Sequence, residues 1–180
     1  MLIIPHAPDV LRLPLCRLWN GMSNKRDHLA GFVHLNQTKD GFLISSYTPV
    51  FSEQNKPFTK EEWNVSTQGH GFIKIFFVEQ SDQYLEVSLD IAGSYRICGF
   101  DEMGKLLTDF SETAFSFEHA EENNQWVNNL SIPWEFFPTD LKAVNAFFLV
   151  QGEVLAYHPI EGVDKTHLHQ IKTFPFVRLG

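Results

Sequence analysis

Hydrophobic and polar positions alternate with a period of two along much of the chain, the spacing of strands rather than helices. Residues 84–89 show it best. Leu85, Val87 and Leu89 share one face, and Tyr84, Glu86 and Ser88 share the other, so this strand is expected to have one wet side. Residues 72–78 are apolar on both faces except at Lys74, which predicts a central strand. The polar connection at Ser81-Asp82 makes the two a hairpin, and a turn at 92–94 leads into a further strand over 95–100. Residues 31–35 and 42–47 flank a polar stretch ending in Asp40-Gly41, which is hairpin chemistry. Later strands are expected at 114–118, 125–132, 143–150, 153–158 and 171–177.

Helical signals are short. Residues 59–63 carry a capping-box pattern, with Thr59 as cap and Glu62 three residues on. Residues 133–137 begin with Pro133 and stop at Pro138, leaving room for a single turn. A parallel α/β fold needs a helical crossover between strands, and the gaps here are too short for one. The pattern therefore predicts one all-β domain over residues 1–180, an antiparallel two-sheet β-sandwich with only short helical turns. Residues 1–18 form an N-terminal extension or first strand, and residues 48–68 form a long loop.

Composition narrows the function more than the fold. Seventeen Phe residues suit pleated, half-buried surfaces. A net charge of -8 without Lys/Arg clusters argues against nucleic acid and anionic membranes as partners. Cys16 and Cys98 lie in apolar runs and are expected as buried free thiols. The N-terminus reads as neither a signal peptide nor a membrane span, so the expected location is cytoplasmic.

Motifs for catalysis are sparse. There is no G-x-S-x-G elbow, no Walker motif and no G-x-G-x-x-G. A metal reading rests on His167-Leu168-His169, where a strand would point both imidazoles one way, with His158, Glu161 and Asp164 near in sequence. Zn²⁺ or Ca²⁺ are the ions considered, and a metal-dependent enzyme using His158, His167 and His169 is one rival function. Glu86 is expected as an exposed strand carboxylate. Trp63, in the long irregular stretch, is the tryptophan best placed for a ligand's apolar face, with Trp126 a further aromatic candidate.

Eight pieces of sequence, in order, carry a resemblance. They are Trp19-Asn20-Gly21, residues 32–36 leading to 41–45, Lys56-Pro57-Phe58, residues 76–78, 83–87, 132–138, 145–148 and Ala156-Tyr157-His158-Pro159. Together they resemble the DOMON-like domains similar to family 9 carbohydrate-binding modules. The nearest branch holds stand-alone intracellular domains without an established activity. The resemblance implies an antiparallel sandwich. In secreted relatives it implies sugar binding between aromatic rings with acidic, amide and Arg side chains, and calcium in a structural role in some.

Position by position, the resemblance places the family's Trp at Trp63, followed by Asn64 instead of Asp, and its strand Glu at Lys74. That exchange turns an acceptor of sugar hydroxyls into a donor. Arg96 matches a basic position. Asp164 matches near the C-terminus, and His167 falls one place late. The reading is a non-catalytic module without an obligatory cofactor, binding carbohydrate through Trp63, Lys74, Arg96, Trp126 and His167. The other rival is a protein-interaction domain on the same fold.

Overall fold

A computed structural model describes residues 1–50, 71–160 and 168–180. Two antiparallel sheets face each other. One has five strands: β2 (Leu11–Leu15), β4 (Gly31–Gln37), β5 (Gly41–Pro49), β11 (Gln125–Pro133) and β10 (Ser116–Glu122), ordered β10-β11-β5-β4-β2. The other has seven: β3 (Arg17–Leu18), β6 (Phe72–Glu79), β7 (Tyr84–Asp90), β8 (Tyr95–Phe100), β9 (Leu106–Asp109), β12 (Leu141–Val150) and β13 (Glu153–Ala156). Its order is β3-β13-β12-β6-β7-β8-β9, so β6 is the middle strand, as its two apolar faces require. A two-stranded parallel ribbon joins β1 (Leu2–Ile4) to β14 (Val177–Leu179), one departure from a purely antiparallel fold.

The core forms where the inward alternates of the sheets meet. Ile73, Ile75 and Phe77 of β6, Leu85, Val87 and Leu89 of β7, and Phe42 and Ile44 of β5 are buried there. Phe42 stacks on Phe137 at 4.0 Å between ring centroids, and Phe77 meets both rings edge-on. Removing each such ring from water is worth about 2–3 kcal/mol. Turn chemistry fixes the register. Asn123 and Asn124 both take positive φ in the two-residue connection from β10 to β11, as do Gln151 and Gly152 between β12 and β13. Gly41 is needed for a different reason: a Cβ there would lie 2.3 Å from the Ile132 carbonyl oxygen.

Several expectations change. Strands β1, β2 and β3 all fall within the first 18 residues, where one was expected, and β9 was not foreseen. These strands are short, and Pro14 interrupts β2, so each has too few alternating positions for a periodic signal. Residues 171–177 do not form one strand: a 3₁₀ turn spans Ile171–Thr173 and β14 starts at Val177. Pro175 divides them. Cys16 is exposed and Cys98 buried, both as free thiols. The capping-box segment 59–63 lies outside the described residues, while the turn after Pro133 is a single 3₁₀ helix, Trp134–Phe136.

The largest change concerns the face of β7 expected to be wet. Every residue of β7 is buried, Tyr84, Glu86 and Ser88 included. The cause is a second apolar cluster on the outer side of the seven-stranded sheet, where Phe76, Val78, Tyr84 and Phe147 receive Leu168, Ile171 and Phe174 from the C-terminal segment. That segment covers part of the face. Beside it, over β6, β7 and β8, lies the candidate site.

Candidate functional site

Three adjacent strands build the site, and the pleat decides which side chains enter it. Lys74 on β6 stands opposite Ser88 on β7, which stands opposite Arg96 on β8. One step along, Phe76, Glu86 and Cys98 form the next row across the sheet. All of these side chains point away from the inter-sheet core. They are mostly buried yet mostly polar, an arrangement stable only if the polar groups satisfy one another.

Most of them do so as a connected set. Lys74 Nζ donates to Glu86 Oε1 at 2.6 Å, and Ser88 Oγ donates to the same oxygen at 3.1 Å. The expected exposed carboxylate is in fact a buried acceptor, with 8% of Glu86 accessible. Its second oxygen, Oε2, is buried and takes no hydrogen bond from the described residues. His169 Nε2 stands 3.5 Å from that oxygen. On its other side, His169 Nδ1 is 2.6 Å from the Tyr84 hydroxyl. The tautomer that fits both contacts has Tyr84 donating to Nδ1 and the Nε2 proton facing Glu86.

His169 reaches the sheet because Leu168 and Ile171, on either side of it, anchor in the outer apolar cluster. Its ring is edge-on to Phe76, Tyr84 and Phe100, with centroids 5.1, 5.7 and 5.8 Å away. Although 42% of its side chain stays accessible, partial burial against these rings lowers its pKa, and Lys74 lowers it further, while Glu86 acts in the opposite direction. Burial and the nearby Glu86 and Asp101 charges raise the pKa of the Tyr84 phenol. Burial also pushes the Cys98 thiol up to about 11, so it stays protonated and unreactive at neutral pH. At the outer margin, Arg96 donates to Asp109 Oδ2 of β9 at 3.1 Å.

Lys74, Glu86, Arg96, Cys98, Phe100 and His169, with Gly104 and Leu106, line a groove of about 450 Å³ open to solvent. Its floor is ionic, and one wall is the Phe100 ring, stacked on Tyr84 at 5.2 Å. This offers donors (Lys74, Arg96), an acceptor (Glu86) and one apolar plane within a single depression.

The sequence-derived candidates divide in three. Lys74 and Arg96 meet in the groove. Trp126 lies on the other sheet, on β11, where it stacks on His119 at 4.9 Å and does not line the groove. Trp63, Asp164 and His167 lie outside the described residues. Of the metal candidates, His158 has its backbone N–H and carbonyl held by the Asn145 side chain while its own side chain is exposed, whereas His169 is in the groove. Among the described residues no set of three His, Cys, Asp or Glu side chains converges to hold a metal ion. Glu86, Cys98, Phe100, Gly104, Leu106 and His169 are groove residues outside the ligand-binding expectations, and Tyr84 and Ser88 support two of them by hydrogen bonds. Period two alone puts Tyr84, Glu86 and Ser88 on the face away from the core, but it does not say whether that face is covered.

The fold and the groove define a class: an antiparallel β-sandwich with a polar depression on the outer face of one sheet. Known structures share that fold. A family 9 carbohydrate-binding module of Caldicellulosiruptor kristjanssonii, solved with cellotriose, superimposes with a TM-score of 0.58 at 8% identity, covering 99% of this chain and 92% of that one. A Bacteroides uniformis protein, provisionally assigned as carbohydrate-binding, gives a TM-score of 0.61 at 14% identity over 95% of this chain and 87% of its own. At these identities the likeness is one of fold.

In sequence, the chain is 26% identical over 156 residues to the rat (Rattus norvegicus) UPF0462 protein C4orf33 homolog, covering 82% of this chain and 74% of the rat protein. It is 26% identical over 137 residues to human (Homo sapiens) UPF0462 protein C4orf33, covering 72% of this chain and 64% of the human protein. The aligned part thus spans under two thirds of the human relative. No protein-family model matches the chain. No helix among the described residues is long and apolar enough to cross a membrane.

Proposed function

We propose that the chain is a non-catalytic binding module that holds a carbohydrate in the groove over β6, β7 and β8. One observation carries this reading. Beside the apolar cluster on the outer sheet face lies a largely buried, hydrogen-bonded set of Lys74, Glu86 and Ser88, with the more exposed His169 next to it, and this set coincides with an open groove. Polar groups interior to a sheet face cost stability compared with well-packed apolar ones of similar volume. Their placement at an open depression fits recognition better than scaffolding.

The chemistry suits a polyol. Lys74 Nζ donates and Glu86 accepts at adjacent positions, a pairing that matches two neighbouring hydroxyls of a sugar ring. Phe100 offers a face for the ring's C–H side. The resemblance places an acid at position 74. Here the acid of the groove comes from the next strand, Glu86, and the lysine at 74 is its partner. A carboxylate acceptor is therefore retained although the residue at 74 has changed sign. The shared fold with a module solved bound to cellotriose supports the same reading.

A glycan array followed by calorimetry with mono- and oligosaccharides tests it. Saturable binding that Glu86→Gln weakens at least tenfold supports the proposal. Silence across both assays rejects it.

A further inference from the structure

Each sheet of a sandwich leaves two edge strands, and an edge is a row of unpaired backbone donors and acceptors that invites another chain. Three of the four edges here carry protection. Strand β2 has Pro14, which cannot donate, and Arg12 beside it. Strand β3 is two residues long, and Arg17 forms a further bridge to Ser23. Strand β10 presents Glu118, Glu121 and Glu122, all in a strand that is largely exposed.

Strand β9 is also short, at four residues, but it has no proline, and among the described residues it pairs with β8 alone. Its first two residues are Leu106 and Leu107, 46% and 51% exposed, and Met103 in the connection from β8 is 85% exposed. Its one acidic residue, Asp109, is engaged by Arg96 of β8. Consecutive residues of β9 also border different cavities. Leu106 lines the ionic groove. Leu107 lines a second cavity of about 250 Å³ at the end of the sandwich, with Phe110, Phe136, Pro138, Glu79 and Glu135.

We propose that β9 is a docking edge for an extended peptide segment of a partner protein, which adds to the sheet as a strand and seats an apolar side chain, flanked by Lys or Arg, against Leu107 and the second cavity. In strand addition the backbone pairing gives affinity, and pockets for alternate side chains give selectivity. Both parts are present at β9. The second cavity has aromatic walls large enough for a Leu- or Phe-sized group, and its charged lining residues are the carboxylates Glu79 and Glu135. An acidic rim on a chain of net charge -8 favours a basic segment and repels a second copy. Length argues the same way. An edge of four residues covers far less than the roughly 1,200 Å² that stable pairing of two folded chains requires.

The test uses the full chain as bait for a phage-displayed library of random heptapeptides, followed by fluorescence anisotropy with the synthetic form of an enriched peptide. The expected result is enrichment of an apolar residue flanked by Lys or Arg. Leu107→Glu, at an exposed position, weakens binding at least tenfold, while Met22→Glu, at another exposed apolar site, leaves it unchanged. Hydrogen exchange of the wild-type chain slows at residues 106–109 when the peptide is bound. No enrichment overturns the proposal, as do equal binding by Leu107→Glu and unchanged exchange at 106–109. A wild-type dimer in sedimentation that Leu107→Glu converts to monomer also overturns it, because the occupant would then be a second copy. None of these readouts depends on carbohydrate binding.

Discussion

Lys74 and Glu86 occupy neighbouring strands, one diagonal step apart, and their side chains meet at 2.6 Å on the outer face of the seven-stranded sheet, beside its apolar cluster. Little of either side chain is accessible, 17% and 10%, so the pair is screened weakly by solvent. Removing one partner leaves the other charge buried without compensation. Lys74→Met is expected to destabilise the domain by about 3 kcal/mol. The double change Lys74→Met with Glu86→Leu is expected to recover most of that loss. Urea unfolding of the three proteins checks both expectations. A double variant no more stable than Lys74→Met alone would show that the two positions contribute independently.

His169 links the groove to pH. Its folded-state pKa lies below the ordinary 6.5, through burial first and Lys74 second, against the opposing pull of Glu86. The unfolded chain therefore holds the extra proton over the window just below pH 6.5, and stability falls as pH drops through it. His34 adds in the same direction, through burial and Arg12. The melting temperature of the wild-type chain is expected to fall between pH 7.5 and pH 5.5. The fall should be smaller in His169→Gln, where the amide keeps a partner for Tyr84. Equal losses in the two proteins would contradict the assigned role of His169.

Asn145 is a structural polar group that the outer face depends on. It is fully buried on β12, its Nδ2 donates to the His158 carbonyl at 2.9 Å, and its Oδ1 accepts from the His158 N–H at 3.0 Å. This clamp fixes the chain where it leaves β13. Asn145→Ala is expected to cost about 3 kcal/mol, because buried backbone groups lose their partners. In a domain of this size that lowers the melting temperature by roughly 6–12 °C. A thermal melt followed by circular dichroism measures it, and a change under 2 °C would mean that other groups hold His158.

Gly41 tests the packing of β5 against β11. A methyl group there meets backbone, not a movable side chain. Gly41→Ala is expected to destabilise by about 1–3 kcal/mol, the usual cost of a forced contact in a packed interior. Denaturant unfolding gives the value, and a neutral result would show that β11 shifts freely at Ile132.

The alternation of residues 72–78, 84–89 and 95–100 located three adjoining strands closely, because long periodic runs with hydrophobic inner faces leave little choice of register. The register of β6 against β7 then puts Lys74 and Glu86 on one face. What the alternation could not convey was the covering of that face. Glu86 looks like an exposed strand residue until Leu168, Ile171 and Phe174, some eighty residues away in sequence, pack beside it. His169 was noticed for its spacing from His167, a metal pattern, whereas its partners are Tyr84 and Glu86. Contacts of that sequence separation leave no periodic trace. Strand β9 was missed for a local reason: four residues, three of them exposed, are too short for a pattern.

Sugar binding in the groove over β6, β7 and β8 is measured by titrating the isotope-labelled chain with cellotriose and mapping amide chemical shifts. Saturable shifts are expected to cluster at Lys74, Glu86, Arg96, Phe100 and His169, and to be lost in Glu86→Gln. No shifts at millimolar sugar would contradict binding in the groove, as would shifts confined to the five-stranded sheet around Trp126.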